Sequence, residues 1–126
     1  MNNDVHMDHI EVHVAEIDAY GAFLQKLFGG GRFKQISDSG TSMFISPEGL
    51  CIEVKKRKIT DAPTRSGFCL PCLRMEGGKA HIEDTLSLVI DETINNPEGE
   101  VHFFTDPEGV EWHIKDYAHR DRYINW

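Results

Sequence analysis

Hydrophobic and polar residues alternate along three segments of the chain, and two of those segments are copies of one motif. Asp8–Val14 (DHIEVHV) places Ile10, Val12 and Val14 on one side and His9, Glu11 and His13 on the other. Ser46–Val54 (SPEGLCIEV) sets Leu50, Ile52 and Val54 against Cys51, Glu53 and Lys55. Sixty residues later, Asp106–Ile114 (DPEGVEWHI) sets Val110, Trp112 and Ile114 against Glu111, His113 and Lys115. Each copy opens on Pro-Glu-Gly, where proline presets φ and glycine accepts φ > 0, so each reads as a turn running into a strand. Successive side chains of a strand point to opposite faces, which gives every segment one apolar and one titratable face. Glu53 and His113 hold equivalent positions, a first hint of a shared pocket.

Between these strands the period changes. Glu16–Phe28 carries Ile17, Tyr20, Phe23, Leu24, Leu27 and Phe28 at helical spacing and stops at Gly29-Gly30-Gly31, which predicts an amphipathic helix lying on a sheet. Gly21 in its middle costs about 1 kcal/mol relative to alanine. Arg32–Ile36 and Thr41–Ile45 flank Ser37-Asp38-Ser39-Gly40 and read as a hairpin. From Lys55 to Ser66, with Pro63, there is no hydrophobic period, which predicts a linker. The second half repeats the order less tidily. Gly67–Arg74 is the expected strand, at an edge or bulged because Pro71 lacks the ladder donor. Lys79–Ile90 is the expected helix, with Ala80, Ile82, Leu86, Val89 and Ile90 apolar; Asn96-Pro97-Glu98-Gly99 is a turn, and Val101–Thr105 leads to the last strand. The fold class is therefore α+β, two tandem βαβββ modules in a single domain over residues 1–126. Module one covers about 8–55, the linker 56–66, module two about 67–115 and a C-terminal tail 116–126, whose Tyr117, Tyr123 and Trp126 suggest docking.

A chain of 126 residues with 40% hydrophobic and 27% charged residues is long enough for a real core and ordinary for a water-soluble domain. Its net charge of −8 disfavours nucleic acid or an anionic membrane as partner. The one basic cluster, Lys55–Lys58, reads as the solvated start of the linker. No apolar run reaches the length of a membrane span or a signal-peptide core, so a cytoplasmic setting is expected. Three cysteines, an odd number, fit reduced thiols. Cys69-Leu70-Pro71-Cys72 is a CxxC, but inside an alternating segment residues three apart face opposite ways, so buried structural cysteines are expected ahead of a redox pair or a zinc clamp.

Two βαβββ units, the Asp8-His9-Ile10 strand followed by Glu16-Ile17, and the two turn-strand segments SPEGLCIEV and DPEGVEWHI together resemble the vicinal oxygen chelate superfamily of glyoxalase I, bleomycin and fosfomycin resistance proteins and extradiol dioxygenases. The resemblance spans about residues 8–115. It implies two modules related by pseudo-twofold symmetry, their sheets facing each other around a cup, with metal ligands on the first and last strands of each module. Position by position these are His9, Glu53, Cys69 and His113, and a common offset of sixty relates 9 to 69 and 53 to 113. Two histidines and a carboxylate suit a divalent cation such as Zn, Ni, Mn or Fe and leave positions for an oxygen-bearing substrate. Cys69 departs from the superfamily pattern, as does a final-strand histidine where glutamate is common. Glu53 is the first candidate for proton transfer. Glu11, His13 and Glu111 share the cup face by parity, each a general acid or base or a solvated rim residue. The implied function is a metal-dependent lyase, isomerase or dioxygenase acting on a small molecule, and the alternative is a metal-free binding protein of antibiotic type. A homodimer is expected.

Overall fold

A computed structural model of the chain describes residues 8–58 and 71–119. The chain divides into two units, Met1–Asp61 and Ala62–Trp126.

The first unit runs β1 (Ile10–Val14), α1 (Ile17–Leu27), β2 (Arg32–Gln35), β3 (Ser42–Ile45) and β4 (Cys51–Lys56), as the hydrophobic periods predict. Its sheet has the order β1-β4-β3-β2, with β1 parallel to β4 and the remaining pairs antiparallel. Val12, Val14, Phe44, Ile52 and Val54 are buried together with Tyr20, Phe23, Leu24 and Leu27 of α1, so one sheet face and one helix stripe make the core. Gly21, unfavourable by propensity, has a packing reason: a β-carbon there would stand 2.4 Å from the Phe33 ring, so the missing side chain lets α1 lie close on the sheet. The alternate residues Glu11, His13, Glu53 and Lys55 occupy the other face.

The second unit repeats the topology. β5 (Cys72–Arg74), β6 (Ile90–Asn96), β7 (Gly99–Thr105) and β8 (Glu111–Lys115) form a sheet of order β5-β8-β7-β6, again with its first and last strands parallel. The two Pro-Glu-Gly turns fold alike: Ser46 and Asp106 each donate an N–H to a carbonyl four residues on, Leu50 and Val110, and each accepts one from the glycine three residues on. Pro71 lies just before β5, an edge strand, and its carbonyl accepts the N–H of His113 at 3.0 Å.

The helix expected over Lys79–Ile90 is much shorter. It comprises α2 (Gly78–Ala80) continued by a π-helical turn, His81–Thr85, that closes with Leu86 N–H on the His81 carbonyl at 2.9 Å. Beyond Ser87, at φ 55, the chain is extended, and Leu86, Leu88 and Ile90 are less exposed than Ser87 and Val89. The same apolar residues that fit a helical period fit an alternating one, and pairing with β7 decides for the strand. β6 was hidden because Ile90-Asp-Glu-Thr-Ile-Asn-Asn is exposed at nearly every position. Beneath α2, His102 is 1% exposed. Its Nδ1 lies 2.9 Å from Thr93 Oγ1 and its Nε2 3.4 Å from Asp116 Oδ2. Asp116 in turn accepts the backbone N–H groups of Gly77, Gly78 and Lys79 at 2.8–3.0 Å, capping the helix.

Candidate functional site

In the first unit the β1–β4 register sets Glu11 beside Glu53 and His13 beside Lys55, and His9 stands one residue before β1. Strand alternation then puts the titratable side chains on the face opposite α1. One ligand atom from each of His9, Glu11 and Glu53 falls within 4.8 Å of the others. The sequence reading had Glu11 as a general acid or base beside the site; the structure brings it into the same three-residue group as His9 and Glu53.

Each group is already engaged. His9 Nδ1 lies 2.7 Å from Asp8 Oδ2, which orients the ring and points Nε2 toward Glu53 Oε2, 3.7 Å away. The hydrogen bond to Asp8 raises the imidazole above its usual pKa; partial desolvation opposes this, and the charge of Glu53 adds to it. Glu11 is held below the usual carboxylate range by His13, 2.6 Å from its Oε2, and by Lys55, 3.2 Å from its Oε1. Lys55 also reaches Glu53 Oε1 at 3.2 Å, and the two carboxylates raise its own pKa. Glu53 is the least accessible member, its side chain 15% exposed.

The donor set fits a divalent cation in one specific respect. With Nδ1–H turned to Asp8, a neutral His9 aims the Nε2 lone pair at a carboxylate oxygen, and two acceptors face each other across 3.7 Å. A cation bonded at about 2.1 Å to each spans up to roughly 4.2 Å, so one ion can touch both.

Lys55 corrects the sequence reading. It belongs to β4 and its ammonium sits between two carboxylates, where a solvated linker start was expected. Its parity with Glu53 was visible in the sequence; its partner on β1 was not.

In the second unit His113 lies on β8 with its ring stacked on Phe103, centroids 5.0 Å apart at 7°. Glu111 borders an open cavity of about 320 Å³ with Asp91, Glu92, Phe103, Thr105 and Trp112. Cys69 lies outside the described residues. Among the described residues, Cys72 opposes His113 as Glu11 opposes Glu53. At those described positions the first strands are related by an offset of sixty-one and the last strands by sixty. Cys72 is exposed rather than buried, since β5 is an edge.

Among solved structures, the chain is similar to a mutant of the genomically encoded fosfomycin resistance protein FosX from Listeria monocytogenes, complexed with Mn(II) and 1S,2S-dihydroxypropylphosphonic acid: TM-score 0.68, 17% identity, covering 91% of this chain and 92% of that one. The chain has the vicinal oxygen chelate fold. The same fold relates it to TnmS3, an antibiotic binding protein from Streptomyces sp. CB03234, at TM-score 0.66 and 17% identity over 91% of this chain and 98% of that one. A glyoxylase/bleomycin resistance protein/dioxygenase domain from Frankia sp. EAN1pec matches at TM-score 0.68 and 16% identity over 93% and 96%. No family model matches the sequence, and no curated protein matches it. Among the described residues, no helix is long and apolar enough to cross a membrane.

Proposed function

We propose that the chain binds a divalent cation through His9 and Glu53, with Glu11 beside them, and acts on a small oxygen-bearing molecule as a lyase, isomerase or dioxygenase. The observation that carries this reading is the approach of His9 Nε2 to Glu53 Oε2 at 3.7 Å, with Asp8 fixing the ring from behind. His113, equivalent to Glu53 by the repeat, is proposed as a further ligand, Glu111 as a further acid or base, and Cys69 as contributing weakly or not at all. Such a cation supplies Lewis acidity and a place for a substrate oxygen. The residues themselves do the rest. Glu53, the least exposed carboxylate, would carry a proton to or from a carbon beside the substrate's oxygen. FosX lends the reading support as a relative in fold solved with Mn(II).

Metal content of protein purified without chelator, followed by calorimetry with Mn(II), Zn(II), Ni(II) and Fe(II), tests it. One ion per chain is expected, lost in His9→Ala and weakened in Glu53→Gln; absence of binding by the wild type sinks the metalloenzyme reading. A second reading, a metal-free binding protein, is favoured by the Lys55 ammonium between Glu11 and Glu53 and by the likeness to TnmS3. A homodimer in the cytoplasm is part of the proposal, and light scattering across micromolar concentrations reports on the former.

A further inference from the structure

Lys55 is hard to reconcile with a site that simply waits for a metal. Its Nζ is 3.2 Å from Glu11 Oε1 and 3.2 Å from Glu53 Oε1, so one ammonium bridges two carboxylates that β1 and β4 hold side by side. These are the same two carboxylates that, with His9, form the ligand group. Two adjacent carboxylates repel, and on a sheet face with Glu53 mostly screened from water a nearby positive charge offsets that repulsion. A divalent cation and this ammonium answer the same electrostatic demand.

We propose that Lys55 is a built-in competitor for the cation: its ammonium holds Glu11 and Glu53 together in the metal-free chain, and a divalent ion binds by displacing it. This rests on the reading that the His9–Glu53 cluster takes a divalent cation. Displacement is sterically open. The Lys55 side chain is 41% exposed, on a flexible stem, and its head group can swing into water while the stem stays against the sheet. Two consequences follow. The first unit keeps its carboxylates paired without metal, so metal binding and folding are separable here. Binding is also weaker than the ligand set alone would give, because every ion that enters must first release an ammonium from two carboxylates.

The test compares wild type, Lys55→Met and Lys55→Arg by calorimetry with Mn(II) alone and with Zn(II) alone, at fixed pH and salt. Methionine keeps much of the apolar stem and removes the charge; arginine keeps the charge and adds a planar fork suited to carboxylates. Lys55→Met is expected to bind at least tenfold more tightly than wild type and Lys55→Arg no more tightly than wild type. Thermal unfolding gives an independent readout: metal-free Lys55→Met melts below wild type, and saturating Mn(II) raises its melting temperature by more. Binding by Lys55→Met but not by wild type would mean that the ion cannot displace the ammonium, which overturns the proposal. Equal affinity in wild type and Lys55→Met, or weaker binding in the latter, overturns it while leaving the metal site intact. If none of the three proteins binds either ion while each shows a cooperative melt, both the proposal and the metal reading fall. Should Lys55→Met not fold, Lys55→Gln takes its place with the same expectations.

Discussion

Asp8 should set both the strength and the pH dependence of metal binding, although it would not itself touch the ion. Its Oδ2 accepts from His9 Nδ1 at 2.7 Å, fixing the tautomer that leaves Nε2 facing Glu53. Asp8→Ala frees the ring to rotate and to carry its proton on either nitrogen. Loss of such an outer carboxylate typically lowers metal affinity by about 10–100-fold. With the Asp8 side chain 94% exposed, water and salt screen the contact, so the expected loss is at the low end, about tenfold. Its pH dependence is more diagnostic. Asp8 is the leading cause of the raised His9 pKa, so in the wild type protons compete with the ion from pH values above 6.5 downward. Without Asp8 the imidazole falls back toward 6.5 and competition begins lower. The full loss therefore appears at alkaline pH, above the raised His9 pKa, and the gap narrows as pH falls through the histidine range. Calorimetry with Zn(II) or Mn(II) across that range measures it directly. A gap that widens as pH falls, or no loss at alkaline pH, refutes the role assigned to Asp8.

Other consequences can be checked by unfolding. Asp106 is 5% exposed and accepts from Glu108 N–H, Val110 N–H and Trp112 Nε1–H at 2.8–3.0 Å; Asp106→Asn, which puts a donor or a misfit against the indole, should cost about 2 kcal/mol in urea denaturation, and Asp106→Ala roughly twice that. Equal costs for the two variants would show that the two backbone bonds to Oδ1 are unimportant. Gly99, at φ 152, has the Tyr117 ring 2.5 Å from where a β-carbon would lie, so Gly99→Ala should lose roughly 1–3 kcal/mol, and an unchanged denaturation midpoint would contradict that packing. For Asp116, burial works to raise the pKa, but the three backbone donors and His102 outweigh it and the net shift is downward. Its stabilisation is thus present above the unfolded value near 3.8 and is lost as pH falls through the lower folded value. Asp116→Asn should be less stable than wild type at neutral pH and show a shallower acid limb, and parallel stability profiles below pH 4 would refute this.

The sequence made the repeat legible because its signals are local. Turn residues and alternation within SPEGLCIEV and DPEGVEWHI identify β4 and β8, and the helical period of Glu16–Phe28 identifies α1 to within about a residue at each end. What it concealed is what depends on neighbours across the sheet. β6 has little apolar face of its own, and only its ladder with β7 makes it a strand. Lys55 has its meaning in Glu11, on a strand remote in sequence. The change of offset in the second unit shows only in strand register, where Cys72 faces His113.

The parallel pairing of first and last strands has a consequence for synthesis. In the first unit β4 and β3 pair with near neighbours, but Ile10 finds Ile52 only after about forty further residues have been made. At roughly 5–20 residues per second, β1 leaves the ribosome about 2–8 s before the strand it needs exists. In that interval its ladder groups are open to any other extended chain, and Ile10, Val12 and Val14 have no core to enter. His9, Glu11 and His13 alternate with them, interrupting the apolar run and charging the strand against premature pairing. The polar face that β1 brings to the candidate site thus also protects the nascent chain while it waits.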